Sequence, residues 1–393
     1  MHKLLPPMRF TGAQILRDGE LQRRSLAIAD GRITKGPLPE VDMHGYLLLP
    51  GIIDLHSDTL ERHIAPHSHA DFDLRLALAA VDREAAANGV TTAWLAQGWS
   101  WEGGPRDPDF AERVLAAHAL YRAQAGTDLR IQLRCQTHLI DTADRMLAAI
   151  RRHDVGYVVF NNHLERAIDR ARDRPGEAEI DAARAGRSGA EQTALIAALK
   201  ARDREVPRHL CRLADAFDIL GVRYGSHDDP DGETRETYSM IGASIAEFPL
   251  SRRAAAAAKA MNDPVLLSAP NVVRDGSHAG NLRAADMIAQ GLCDALVSDF
   301  YYPALAQAAW KLADSGLRDL PAAWAMISSK PAQILRLHDR GTLDFGRRAD
   351  LVAVNVHTRA VEMTIAGGVL TYLAQGAACR FTRAPQILDI AAE

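Results

Sequence analysis

Hydrophobic and polar positions along the chain fall into two textures. From Arg9 to Val41, short apolar segments (Ala13-Gln14-Ile15-Leu16 and Ser25-Leu26-Ala27-Ile28) are broken by Asp18-Gly19 and Asp30-Gly31. Asp-Gly between apolar runs is hairpin chemistry, because both residues tolerate the backbone angles of tight turns. Small antiparallel strands are therefore predicted there. The same texture returns only at the far end, from Gly341 to Gly346, Asp350 to Val354 and Val361 to Ile365, with Gly367-Gly368 after them. The two ends are predicted to meet in one small β-domain.

Between the ends, bulky apolar runs alternate with helical stretches. Strands are predicted at Ile52–His56, Gly89–Leu95, Leu129–Cys135, Val155–Phe160, Gly221–Ser226, Ala243–Phe248, Pro264–Ala269 and Asp294–Ser298. Continuous apolar runs of this length suit strands covered on both faces of a parallel sheet. Helices are predicted at Phe72–Asn88, Asp109–Gln124, Asp141–His153 and Tyr302–Ser315. Eight βα repeats make this an α/β chain with a (β/α)₈ TIM-like barrel over residues 49–340, whose chemistry belongs at the C-terminal strand ends. The longest excursion, Leu164 to Glu205, carries Arg172-Asp173-Arg174-Pro175-Gly176 and reads as helices outside the barrel, a lid candidate.

Composition narrows the partners. The 393 residues hold 46 Lys plus Arg against 50 Asp plus Glu, a net charge of −4, with no long run of one sign. Neither a nucleic acid nor a membrane surface is indicated, and no stretch reaches the ~18 apolar residues of a membrane span. A small-molecule substrate is expected, with homo-oligomerisation left open. Cys135, Cys211, Cys293 and Cys379 lack C-x-x-C spacing, and the N-terminus lacks a signal-peptide apolar core, so a reducing, cytoplasmic setting is expected.

The candidate chemistry lies just past the predicted strands. His56 and Asp58, two apart at the end of the first, would point to one side and offer an imidazole and a carboxylate to one ion. Alone, the pair equally fits a histidine hydrogen-bonded to a carboxylate. Later strand ends add Gln97, then Gln136 and His138, then Asn161, Asn162 and His163. His227, Asp228 and Asp229 follow, then Glu247, Asn271 and Asp299. Histidines and carboxylates gathered on one rim predict one or two divalent cations, zinc first with manganese or iron as alternatives, held through His56, Asp58, His163 and His227. A catalytic ion lowers the pKa of water from 15.7 to roughly 7 and still needs a base. Asp299 would take the proton and deliver it to the leaving group, though it would also suit a helix N-cap. After the seventh strand, the polar loop Ala269 to Asn281 would hold an anionic substrate through backbone N–H groups, Asn271, Arg274, Ser277 and His278. Glu61-Arg62-His63, His67 and His69 add cationic contacts near the first ligands.

Several motifs resemble the amidohydrolase superfamily, and within it the diphosphatases of the carbon–phosphorus lyase pathway. They are the run Leu49 to Asp58 with Leu60 to His63, Leu133 to Cys135, Ser226 to Asp229, Ala246 to Pro249, Ala269 to Arg274, Gly276 to His278, Ser298-Asp299, and the tail Lys330 to Ala332 with Asp339 to Gly341 and Arg348 to Leu351. The resemblance implies a metal-dependent hydrolase: a barrel (49–340) beside a composite β-sandwich (1–48 and 341–393), cleaving a phosphoanhydride of a ribose 1-phosphonate 5-triphosphate to release pyrophosphate. It carries ligand or catalytic roles onto His56, Asp58, His163, His227 and Asp299, with Arg62 and His63 beside the substrate. There are two departures. The family's Arg-Cys-Glu is here Arg134-Cys135-Gln136, which leaves Gln136 as an amide at the bridging-ligand position. Its Asp-His-Thr-Pro-Gly segment is replaced from Asn162 through His163 and Leu164. Hydrolysis of a C–N bond and a non-catalytic scaffold are the alternative functions.

Overall fold

Between Pro50 and Ser298 the apolar runs become eight parallel strands: Ile52–Ser57, Val90–Trp99, Asp128–Gln136, Tyr157–Asn161, Arg223–His227, Ala246–Glu247, Val265–Ser268 and Ala295–Val297, hydrogen-bonded in chain order. This computed structural model describes residues 3–67, 72–277, 280 and 282–382. A bridge between Ser57 and Asp299 brings the last strand back to the first, and the Asp299 N–H donates to the His56 carbonyl at 3.1 Å. The buried Asp54 carboxylate locks the seam, accepting from the Ser298 N–H at 2.9 Å and its hydroxyl at 2.5 Å. Burial pushes the Asp54 pKa up to about 7 against the opposing pull of these donors.

Two strands differ most in length from expectation. The second runs on to Trp99, because backbone pairing with the third continues through Leu133–Gln97 and Cys135–Trp99 although the apolar run has stopped. The sixth shrinks to Ala246–Glu247, the only two residues that face strand five in register. Helices such as Leu74–Ala87 and Pro108–Tyr121 wrap the barrel, starting at Asp73 and Asp107, whose carboxylates accept first-turn N–H groups.

The chain ends interlock. Tyr46–Pro50 pairs antiparallel with Leu351–Asn355 inside a six-stranded sheet, and a four-stranded sheet contains Met8–Thr11. Phe10, Ile28, Leu48, Leu351, Met363 and Ile365 share one buried core between the sheets. The Asp-Gly turns behave as their chemistry requires, Asp18 and Asp30 taking φ of 53° and 51° with Gly19 and Gly31 at 77° and 73°.

Residues 164–205 form three α-helices, Leu164–Asp173, Pro175–Arg184 and Gly189–Lys200, and a short 3-10 turn at Asp203–Glu205. Leu164 and Leu199 bury against Trp101, and Arg187 donates to the Trp101 carbonyl at 2.9 Å, so the excursion is fastened to the loop after strand two. Among the described residues, no helix is long and apolar enough to cross a membrane.

Candidate active site

Parallel strands in register bring their ends to one level. Gln136, Asn161 and His227 are partners across strands three to five, and His227 pairs with Glu247 on strand six. Glu247 is fully buried, with both oxygens engaged. Oε2 accepts from His56 Nδ1 and His227 Nδ1, each at 3.0 Å, while Oε1 accepts from the Gln132 amide and the Tyr157 hydroxyl, each at 2.6 Å. An imidazole that donates from Nδ1 leaves its Nε2 lone pair for another partner, so one carboxylate sets the tautomer and aim of two rings.

Phe248 fixes the rings from a second direction, meeting His56 and His227 edge-on at centroid distances of 5.1 Å. Its own φ is +50°, and Asp228 and Asp299 stand at +61° and +59°. Left-handed backbone thus recurs at three strand ends on one rim, and at Phe248, a bulky residue, it is uncommon and must be held by the packing around the two rings.

His56 Nε2 is buried without a hydrogen-bond partner among the described residues and faces the Asp58 carboxylate at 3.7 Å. Donor atoms of His56, Asp58 and Asp299 lie within 4.8 Å of one another, as do those of His56, His227 and Glu247. The second group is the hydrogen-bonded support just described. The first is an orphaned imidazole nitrogen beside two carboxylates, a donor set that fits a divalent cation. Burial would push the His56 pKa down, but Glu247 and Asp58 outweigh it and raise it to about 10, so the same anionic surroundings that would favour a cation hold a proton there, which a bound ion would displace. Burial dominates at His227 and lowers its pKa. Burial would raise Asp58, yet the Arg134 guanidinium holds its carboxyl well below the usual range.

Arg134 Nη1 donates to both Asp58 oxygens at 3.1 and 3.3 Å, and its Nη2 lies 3.4 Å from His227 Nε2. Next to this centre opens a cavity of about 500 Å³ lined by His56, Asp58, His227 and Asp299 together with Arg134, Arg166, Arg170 and Arg274. Arg166 reaches in from the excursion helix and pairs with Asp228 at 2.9 Å; Arg170, from the same helix, pairs with Asp181.

The other expected residues separate. His163 faces Glu102 at 3.3 Å and belongs to neither candidate metal group. Gln136 is in neither candidate metal group, and its oxygen accepts the His163 N–H at 3.0 Å. Arg62 and His63 do not line the cavity: both turn to Glu84 on the neighbouring helix, at 2.6 Å each. Asn271 lines the cavity, but its amide spans the Leu282 carbonyl and the Ala284 N–H and so pins the loop. Ser277 and Arg274 line the cavity, and Arg274 is exposed there. His138 is tied to Asp203 at 2.9 Å, and Asp229 to the buried Arg235 at 3.3 Å. Helix Ala304–Asp314 is capped by Pro303, so Asp299 is not its N-cap. His69 and His278 lie outside the described residues. Because Arg62 and His63 are spent on Glu84, Arg62→Ala and His63→Ala should each change turnover by no more than about twofold, as measured in steady-state assays.

Glu247 appears in the sequence only as one strand-end carboxylate among several, Arg134 only as part of a motif with no role of its own, and Gln132 and Tyr157 attract no notice. The available signal is a polar residue inside an otherwise apolar strand, as at Gln132 and Glu247.

No protein-family model matches the chain. The α-D-ribose 1-methylphosphonate 5-triphosphate diphosphatase of Escherichia coli (strain K12) is 31% identical over 362 residues, covering 88% of this chain and 94% of that protein. The chain belongs to the amidohydrolase superfamily, in the family of that diphosphatase. It is a hydrolase, which sets the scaffold alternative aside. Solved structures agree on the fold of this amidohydrolase. The β-aspartyl dipeptidase of Fervidobacterium islandicum AW-1 matches with a TM-score of 0.63 at 14% identity, covering 93% of this chain and 97% of its own. The N-acetylglucosamine-6-phosphate deacetylase of Pasteurella multocida matches with 0.63 at 12% identity, covering 93% and 99%.

Proposed function

We propose that this amidohydrolase is a metal-dependent phosphohydrolase that cleaves a phosphoanhydride of a ribose 1-phosphonate 5-triphosphate and releases pyrophosphate, in the degradation of phosphonates. The observation that carries this reading is the cavity in which four arginines face the His56, Asp58 and Asp299 cluster. A triphosphate is a chain of anionic oxygens, and guanidinium groups match phosphate oxygens in paired hydrogen bonds. The similarity to the diphosphatase from E. coli supports the same substrate class.

His56, Asp58 and Asp299, with His227 beside them, would hold the cation, for which zinc, manganese and iron all suit imidazole and carboxylate donors. The cation supplies Lewis acidity that lowers the pKa of water and draws charge from the phosphoryl oxygens. The protein does the remainder. Glu247 keeps the Nδ1–H groups of both histidines and so keeps their Nε2 atoms as lone-pair donors. Asp299, a carboxylate that lines the cavity, accepts the proton of the attacking water and returns it to the leaving phosphate oxygen. Arg166, Arg170 and Arg274 bind the phosphate chain and hold it in line.

The test is incubation of metal-supplemented protein with the ribose triphosphate and, in parallel, with dipeptides, N-acetylated sugar phosphates and dihydropyrimidines. Pyrophosphate release from the first alone is expected. Turnover of a C–N substrate without pyrophosphate release would overturn the reading in favour of amide hydrolysis. Arg166→Ala should raise KM roughly 10- to 100-fold, the loss of one charged hydrogen bond, with kcat little changed because the contact is made equally before and during reaction.

A further inference from the structure

We infer that the centre binds one divalent ion and that the Arg134 guanidinium occupies the position a second ion would need, so that Asp58 bridges a metal and an arginine. This rests on the metal-dependent reading above. In a two-ion centre the cations stand ~3.5–4 Å apart, and shared anionic oxygens offset their repulsion. Asp58 is the carboxylate placed to be shared. Its Oδ1 faces the orphaned His56 Nε2 at 3.7 Å and also accepts from Arg134 Nη1 at 3.1 Å, and its Oδ2 accepts from the same nitrogen at 3.3 Å, so the guanidinium engages both oxygens. The same guanidinium lies 3.4 Å from His227 Nε2, the nitrogen that Glu247 leaves free to bind a cation.

Arg134 springs from strand three, and its side chain is only 15% exposed, so its charge stays in the centre. The groups around it offer a further divalent ion little unpaired negative charge, since Asp228 pairs with Arg166 at 2.9 Å. Gln136 is a neutral amide whose oxygen already accepts the His163 N–H at 3.0 Å. Asn161, its register partner on strand four, is also neutral, and neither atom of its buried amide has a partner among the described residues. Both amides line, with Asp58 and Arg134, a small cavity of about 20 Å³. That is room for about one water molecule, which the Asn161 amide is placed to hold. Glu61 and Glu102 line the same cavity, but Arg106 pairs with both at 3.4 Å, so a divalent ion brought there would meet two fixed positive charges, two neutral amides and carboxylates already matched by Arg134 and Arg106.

The test is metal stoichiometry of the full chain, stripped with chelator, titrated with Zn²⁺ or Mn²⁺ to millimolar concentration, freed of unbound ion and measured by elemental analysis. The unaltered protein should saturate at one ion per chain, as should Arg134→Lys, which keeps the charge. The double variant Arg134→Met with Gln136→Glu, which removes the cation and installs an anion, should saturate at two, with circular dichroism reporting whether it folds. Two ions in the unaltered protein would overturn the inference while leaving the metal-dependent reading intact. One ion in a folded double variant would overturn it equally. No ion bound in the unaltered protein would overturn the metal-dependent reading itself and this inference with it. Should the double variant not fold, the stoichiometry of the unaltered protein decides.

Discussion

Asp299→Asn is expected to lower the turnover number by roughly 10²–10⁴-fold, the range that a positioned general base contributes. The amide keeps the size of the side chain and removes its basicity, so the backbone at φ +59° and the bridge to Ser57 should survive. Metal content measured on the same preparation separates the two roles open to this residue. Asp299 shares a 4.8 Å group with His56 and Asp58, and a ligand role would lower metal affinity along with turnover. Loss of turnover at unchanged metal content assigns the proton transfer to Asp299; unchanged turnover on every substrate would refute its place in the chemistry.

The second large effect is expected at Glu247. Its carboxylate is fully buried and receives hydrogen bonds from two imidazoles, an amide and a phenol. Removing one member of such a network strands the others without partners, which costs about 3–5 kcal/mol for a buried ion pair. Glu247→Ala should lose stability on that scale in chemical denaturation. Glu247→Gln is the more informative change, since it preserves volume but puts an N–H₂ where one imidazole or the Tyr157 hydroxyl needs an acceptor. Metal affinity should then fall about 10–100-fold, as when the outer partner of a ligand histidine is lost. Chelator competition would read this, and an affinity equal to that of the unaltered protein would mean that the histidines are aimed by something other than Glu247.

The sequence by itself determined the barrel, the composite β-domain and the first members of the site. Apolar runs mark buried strands because residues buried on both faces have no polar alternation to show, and Asp-Gly marks hairpins because few other pairs tolerate the turn. His56 and Asp58 were legible together because a strand carries its own geometry: two positions apart means one side, whatever lies opposite. What lay one helical turn further on was not legible. Arg62 and His63 follow the same ligands closely, but they stand on helix Thr59–Ile64, and its packing against the next helix turns them to Glu84 instead of the cavity.

Only the tertiary structure decided which strand ends cooperate. Register and the distance across a barrel are set by pairing between segments far apart in sequence. Glu247 meets His56 from 191 residues away, and nothing local to Ala246-Glu247-Phe248 announces two imidazoles above it. By the same cause His163, a strand-end histidine like the others, sits with Glu102 and Gln136, while Arg134, inside a strand that reads as scaffold, supplies a positive charge to the centre of the site. A residue's chemistry is written in its own side chain, whereas its partner is chosen by the closure of the whole sheet.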